Sequence, residues 1–518
     1  MSPFIFATLL LLLGALWSFI HLRQATSSSP NHQKYGKKLP PSPPSLPIVG
    51  NLHLLGKLPH RSLQNLAKKY GPIMSMRLGY VPATVVSSPR AAELFLKTHD
   101  TVFASRPKVQ ASQYLSFGAR GMAFSEYGPY WRNVRKFCTL ELLSVTKIDS
   151  FAAMRREELE LLVRSLKEEA AARGVVDISE KVAMVVENMT YRMLFGRSRD
   201  DRFDLKANVQ ETIRLAGAFN LADYVPFLGA LDLQGLTRRL KATSKALDKI
   251  LDIIIDEHVH EDNSGHPRHA TDFLDVMLSL MNKSTNTHDE LSYMIDPTSI
   301  KAIMLDMISG AIETSATAID WTLSELVRNP EIMRQLQEEL RSVIGVDEMV
   351  EEKDLAKLDY LDMVIKESLR LHPVAPLLVP RESMEDIVID DYYIPKKSRI
   401  IVNSWAIGRD PKVWSDNAEE FIPERFIGSN IELRGQDFEL TPFGSGRRGC
   451  PGVHLGLINI RSVVAHFVHC FDWELPNGMP ASELDMTENF GLSAPRANHL
   501  LAIPRYRQVS ETCEEVIL

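Results

Sequence analysis

The segment "PFGSGRRGCPG", Pro442 to Gly452, decides how this chain is read. Gly444 to Gly449 fits G-x-G-x-x-G, a dinucleotide pattern that needs an incoming strand, a tight turn and a helix. Pro442 interrupts an incoming strand, and Cys450-Pro451 breaks the expected helix register. Asp472 lies further along than the roughly 20 residues at which the pattern places its ribose-binding acid. The other reading takes Cys450 as a ligand. Glycines let a backbone pass close to a flat cofactor. Backbone N–H groups turned toward sulfur stabilise its thiolate. Pro451 suits the first turn of a following helix, whose N-terminus favours an anion at Cys450. Arg448 can grip a carboxylate in bidentate fashion. A thiolate beside a carboxylate-binding arginine suits haem, whose iron takes an axial ligand and whose propionates take arginine.

The bulk numbers set the frame. The chain has 518 residues, 45% hydrophobic and 24% charged, an ordinary globular balance. Its net charge of −7 gives no basic field, and no nucleic-acid partner is expected. Cys138, Cys450, Cys470 and Cys513 form no C-x-x-C pair and no disulfide framework, which fits a reducing compartment. Residues 1–22 are expected to be a transmembrane anchor, because Ser2 to Leu22 carries no charged side chain and about 20 apolar residues span a bilayer. No basic residue precedes the run, which argues against a cleaved signal peptide. Residues 23–47 read as a basic and proline-rich linker. Arg23, Lys34, Lys37 and Lys38 hold it on the cytosolic side, and "LPPSPPSLP" makes a stiff extended spacer. The sequons at Asn188 and Asn282 would then stay idle. Residues 48–518 are expected to be one catalytic domain.

Within that domain "IMSMRLGYVPATVVSS", Ile73 to Ser88, reads as a hairpin around Gly79 and Pro82. The longest helix is expected from about Thr298 to Arg328, between Pro297 and Pro330, spanning roughly 46 Å. Strand-like pieces return after Pro376, as in "RIIVNSWAI". The fold class is mainly α with small β-sheets.

Phe443, Gly446, Arg448, Cys450 and Gly452 complete F-x-x-G-x-R-x-C-x-G across ten positions. On these residues the chain resembles the cytochromes P-450, the haem-thiolate monooxygenases. Further stretches match in order. "KESLR" and "PERF" supply Glu367, Arg370 and Arg425, which the resemblance makes a structural charge network. "WRNVR" supplies Trp131 and Arg135, and "LLVPRES" supplies Arg381, for the haem propionates. "SGAIETSA" supplies Glu313 and Thr314, an acid-alcohol pair over the iron. Thr314 can bond back to the Gly310 carbonyl and open the helix. The chain departs from the family in its Gly310-Ala311 order, where Ala-Gly or Gly-Gly is usual. "FASRP", Phe103 to Pro107, and "FGL", Phe490 to Leu492, look most like the microsomal A-type group of plants.

The resemblance implies a cytochrome P-450 fold and a haem with Cys450 as metal ligand. Phe443, Arg448, Trp131, Arg135 and Arg381 would be cofactor-binding. Thr314 and Glu313 would be catalytic. It implies O2, electrons from an NADPH-dependent flavoprotein reductase in the endoplasmic reticulum membrane, a cytosolic domain and a monomer. Arg132 and Lys136, on the face beside Trp131, would dock the reductase. Phe117, Ala123, Phe124, Phe219, Ala311, Val374, Leu378 and Leu492 would meet a small lipophilic substrate, a terpenoid or a phenolic. Two alternatives stay open: a haem-thiolate enzyme that rearranges or dehydrates a peroxide without reductase, and a non-enzymatic haem protein.

Overall fold

The computed structural model describes residues 7–8, 11–17, 36–198, 205–263, 272–283, 296–346 and 348–507. Helices carry most of them, with small sheets between. The strands are β1 (Ile73–Leu78), β2 (Val81–Val86), β3 (Val176–Asp177), β4 (Arg381–Glu382), β5 (Ile387–Ile389), β6 (Tyr392–Ile394), β7 (Arg399–Val402), β8 (Phe471–Glu474) and β9 (Leu501–Tyr506). The sheets run β1-β2-β7-β4, β3-β9-β8 and β5-β6. The mainly helical class with small sheets is the one the sequence implied.

The hairpin is present. β1 and β2 pair antiparallel from Ile73↔Val86 to Leu78↔Val81, and the chain turns at Gly79 and Tyr80. Gly79 has φ +61°, and a Cβ there would lie 2.3 Å from the Tyr224 carbonyl oxygen, so the turn requires glycine. Pro82 sits inside β2, opposite Arg77. The second ladder, to β7, starts only at Ala83, so the missing proline N–H breaks no bond there. "RIIVNSWAI" divides. Its first half is β7, but Ser404–Ile407 is a helical turn, because the Asn403 side chain accepts the Ala406 N–H at 3.1 Å. Local capping outweighs the β preference of that stretch.

The proline-rich stretch is strapped down. Pro40 and Pro43 are buried. The Tyr393 N–H donates to the Lys38 carbonyl and the Ser75 N–H to that of Pro41, both at 2.9 Å. The Asn51 amide holds the carbonyls of Pro43 and Pro44. The folded body therefore takes in residues from Lys38 onward, earlier than Ile48. Ahead of it, residues 7–8 and 11–17 are helical, and Leu11, Leu12, Leu13, Leu16 and Trp17 are exposed. Arg23 and Lys34 lie outside the described residues.

The longest helix runs unbroken from Pro297 to Arg328. The Asp296 side chain caps it, accepting the Ser299 N–H at 2.7 Å. Val453–Cys470, the helix after the cysteine loop, packs against it, and both belong to one large apolar core. These two are long and apolar enough by composition to cross a membrane, yet both are core helices. The long helix is buried over Ser299–Leu305 and again over Thr317–Val327. Between them Gly310 is exposed and Ala311 to Thr314 are half-buried. A Cβ on Gly310 would meet nothing within 4 Å. Midway along a core helix, this is a window onto interior space.

Candidate active site around Cys450

The cysteine loop closes on itself. The Cys450 N–H donates to the Phe443 carbonyl and the Gly449 N–H to that of Gly446, both at 2.9 Å. Gly446 has φ +66°, and a Cβ there would lie 2.2 Å from the Leu96 carbonyl oxygen, so conformation and close approach both demand glycine. The Phe443 ring lies near Gly456 on the following helix. No strand enters the loop, which removes the dinucleotide reading. The helix starts at Val453 with Gly452 as its cap, so Pro451 precedes the first turn instead of occupying it.

The Cys450 thiol keeps accessible surface although protein encloses it, so it opens inward. Burial raises its pKa; the Gly452 N–H and the Arg135 charge pull the other way. The loop and arginine act in the expected direction without outweighing desolvation. A bound cation would complete the task, since a metal-coordinated thiol is deprotonated outright.

Beside the loop four guanidinium groups converge. Arg448 donates to the carbonyls of Ala104 and Ser125, each at 2.6 Å, and lies 4.0 Å from the centroid of the Trp131 ring. Arg135 donates to the Gly449 carbonyl at 2.7 Å. Arg381 donates to Asp100 at 2.7 Å and to the Ser445 carbonyl. The fourth, Arg106, donates to the carbonyls of Ala123 and Pro380. Burial lowers the pKa of all four, and repulsion among them adds to the effect at Arg106, Arg448 and Arg381. Asp100 is the acid that offsets Arg381 and Arg448, and it also takes the Arg447 N–H and guanidinium. A group bearing two carboxylates would relieve this excess, as haem does. The sequence reading missed Arg106 and Asp100; "FASRP" contained the arginine without marking its place.

On the long helix Thr314 donates to the Gly310 carbonyl at 2.6 Å, the bond the sequence predicts, while the helix stays continuous. Ser493 donates to Glu313 at 3.0 Å, and burial raises the Glu313 pKa while that bond lowers it. Ser493 was also missed; it adjoins the "FGL" stretch but has no spacing signal of its own.

A cavity of about 500 Å³ gathers Phe124, Phe219, Leu378 and Leu492 in its wall. Leu378 also faces Gly444, whose added Cβ would meet its Cδ1 at 3.8 Å, so the cavity adjoins the cysteine loop. Of the other expected contacts, Ala123 and Ala311 are half-buried, and Phe117 packs with Ile312 against a core cluster. Val374 is buried, its carbonyl accepting the Ala494 N–H at 2.8 Å. These four are not among the cavity's lining residues. The wall also contains Arg106, Asp223 and Arg399, charged groups that the apolar expectation left out.

Behind the site the Glu367 carboxylate takes two bonds from Arg370, at 2.6 and 2.7 Å, and bonds from Arg425 and the Ile422 N–H, both at 2.8 Å. Arg370 also donates to the carbonyls of Gly408, Ala418 and Glu420. The expected charge network is complete. On the outer face of the Trp131 helix, Arg132 and Lys136 are exposed.

Fold and donor set together fit one class, the haem-thiolate proteins: a loop sulfur opening inward and an excess of buried positive charge beside it. Residues 40–501 match the family model described as Cytochrome P450. Cytochrome P450 CYP736A12 of Panax ginseng is 63% identical over 508 residues, covering 98% of this chain and 100% of its own. The phenylacetaldehyde oxime monooxygenase CYP71AN24 of Prunus mume is 42% identical over 493 residues, covering 94% and 92%. A zebra fish cytochrome P450 solved with abiraterone superposes with a TM-score of 0.71 at 25% identity, covering 87% of this chain and 100% of that one. The chain belongs to the cytochrome P450 family. It is a monooxygenase with a haem-thiolate cofactor, similar to plant members, and as such uses O2 and a redox partner.

Proposed function

We propose that this protein is a membrane-anchored monooxygenase of the endoplasmic reticulum that hydroxylates a small lipophilic plant metabolite, a terpenoid or a phenolic, with electrons from an NADPH-dependent flavoprotein reductase. The observation that carries the reading is the mostly apolar cavity that adjoins the cysteine loop through Leu378. Its volume, about 500 Å³, suits one small organic ligand. One relative is named for phenylacetaldehyde oxime, an aromatic compound, which keeps phenolics beside terpenoids.

Cys450 would be the axial ligand, and Trp131, Arg106, Arg135, Arg381 and Arg448 would hold the propionates. Bound there, haem supplies the oxidative chemistry, with a thiolate ligand favouring O–O cleavage. The chain positions the rest. Phe124, Phe219, Leu378 and Leu492 hold the substrate and exclude water. Glu313, its pKa raised by burial, retains a proton more readily than an exposed carboxyl, with the Ser493 hydroxyl as its hydrogen-bond partner. Membrane attachment rests on the exposed leucines of the amino-terminal helix. A cytosolic domain fits the Asn188 sequon, whose half-buried amide donates to Glu158 at 3.2 Å and is poorly placed for a glycan.

The test is turnover of a terpenoid and phenylpropanoid panel in microsomes with reductase. Hydroxylated product dependent on NADPH and O2 is expected. Consumption of a hydroperoxide without reductase, and no hydroxylation of any panel member, would favour the peroxide-rearranging alternative. In the same assay Arg132→Glu with Lys136→Glu should slow turnover and weaken its salt dependence, because docking charges act on association rate. Turnover driven by added peroxide should change little. Equal losses in both assays would assign these residues to folding instead.

Thr314→Ala should leave substrate-induced spectral shifts intact while more reducing equivalents end as peroxide or water. Ala311→Gly should enlarge the site by one methyl, about 0.8 kcal/mol of apolar contact, and shift the oxidised carbon with haem content unchanged. Loss of substrate binding in Thr314→Ala, with unchanged products in Ala311→Gly, would mean that the helix presents a different face.

A further inference from the structure

We propose that Asp306 is a positioning residue for substrate specificity: its carboxylate clamps the loop Gly121–Ser125 onto the long helix and so fixes where Phe124 stands in the wall of the substrate cavity. The inference rests on the proposed reading of Phe124 as a substrate contact.

Asp306 lies one helical turn before Gly310. Its Oδ2 accepts two consecutive backbone N–H groups, from Met122 and, at 3.0 Å, from Ala123. The carbonyls of the same segment turn the opposite way. That of Met122 accepts the Trp131 indole N–H at 3.0 Å and Arg448 at 3.4 Å. That of Ala123 accepts Arg106 at 3.0 Å, and that of Ser125 accepts Arg448 at 2.6 Å. One short loop is thus held from the long helix by its N–H groups and from the arginine cluster by its C=O groups. Among the described residues no other acceptor serves the two N–H groups, and a buried N–H without a partner is costly.

The loop is cut to fit this carboxylate. A Cβ on Gly121 would lie 2.2 Å from Asp306 Oδ2 and 2.8 Å from its Cγ, so any larger residue would force the carboxylate and the loop apart. Asp306 keeps some accessible surface although protein surrounds it, and burial raises its pKa to about 6 against the pull of the two N–H groups. Downstream on the same helix, Ala311 and Thr314 border the interior window. The clamp therefore ties the placement of the loop against the helix to a single side chain. Phe124 carries that setting into the cavity wall.

The experiment compares Asp306→Ala, Asp306→Asn, Gly121→Ala and Phe124→Ala as full-length holoenzymes. Two readouts are used: product ratio on a substrate that gives two or more products, and amide hydrogen exchange over residues 119–127 without substrate. Asp306→Ala and Gly121→Ala, which break the clamp from opposite sides, should share one altered product ratio and faster exchange across the loop, with haem content retained. Asp306→Asn keeps an acceptor oxygen and should lie between them and the parent protein. An unchanged product ratio in both clamp variants overturns the specificity role. If Phe124→Ala nevertheless shifts the products, the clamp has failed; if it does not, the substrate-contact premise has failed. Parallel loss of haem from Asp306→Ala, Asp306→Asn and Gly121→Ala would also overturn it, making Asp306 a residue of stability alone.

Discussion

Cys450→Ala is expected to abolish the red-shifted Soret band that the reduced protein gives with carbon monoxide, and to take reductase-driven turnover down to background. The band reports thiolate ligation, and the geometry leaves few substitutes for this sulfur. Cys138 and Cys470 are fully buried, in separate core clusters. Burial pushes the Cys470 thiol up to about 12 and raises that of Cys138 as well. Neither opens onto the interior space as Cys450 does. Cys513 lies outside the described residues. The arginine cluster is untouched by the substitution, so some haem binding can persist while the signature disappears. Cys450→His should then show nitrogen ligation in place of thiolate. A thiolate signature of parental strength in Cys450→Ala would sink the assignment, and a parental spectrum typical of histidine would sink it sooner.

What made the site legible was contiguity. Phe443, Arg448 and Cys450 sit within ten positions, and three elements of local chemistry act there at once: glycine turns, a helix start and a lone cysteine. The long helix was legible from Pro297 and Pro330, and its Asp296 cap agrees. Other groups were hidden because their meaning lies in partners far along the chain. Asp100 meets Arg381 across 281 positions. Ser493 meets Glu313 across 180. Asp306 meets Ala123 across 183. A single serine or aspartate has no period, and only the fold supplies its partner. Arg448 shows the intermediate case. Its presence in the pattern was readable, but its bonds to the carbonyls of Ala104 and Ser125 depend on where two earlier loops fall. Ser404–Ile407 failed for a local reason: β-branched and aromatic composition hid an asparagine cap.

Glu367→Ala is expected to be the most damaging substitution for the folded state, at about 3 kcal/mol or more, the usual cost of stripping one partner from a buried ion pair. The side chains of Glu367 and Arg370 are both 0% exposed, so neither charge can turn to water. Removing the carboxylate leaves Arg370 with the carbonyls of Gly408, Ala418 and Glu420 and the Trp414 ring but no counter-charge, orphans the Ile422 N–H, and takes one bond from Arg425. Arg425 should suffer less, since parts of its bonding reach the surface at Asn417. Arg425→Ala should therefore cost less than Glu367→Ala, about 1.5–3 kcal/mol, the range for a hydrogen bond to a charged group. Against a total stability of roughly 5–15 kcal/mol, the first loss removes a large share of the margin and the second a smaller one, so the melting temperature should fall further in Glu367→Ala. The damage should reach the cysteine loop. Arg370 holds the Gly408 and Ala418 region, and the same long meander continues to Gly435, where an added Cβ would lie 2.3 Å from the Gly444 carbonyl oxygen. Thermal unfolding followed by circular dichroism, with haem content measured on the same samples, separates the two variants. Equal costs for Glu367→Ala and Arg425→Ala, or full haem loading of Glu367→Ala at a parental melting temperature, would show that the network does not support the loop.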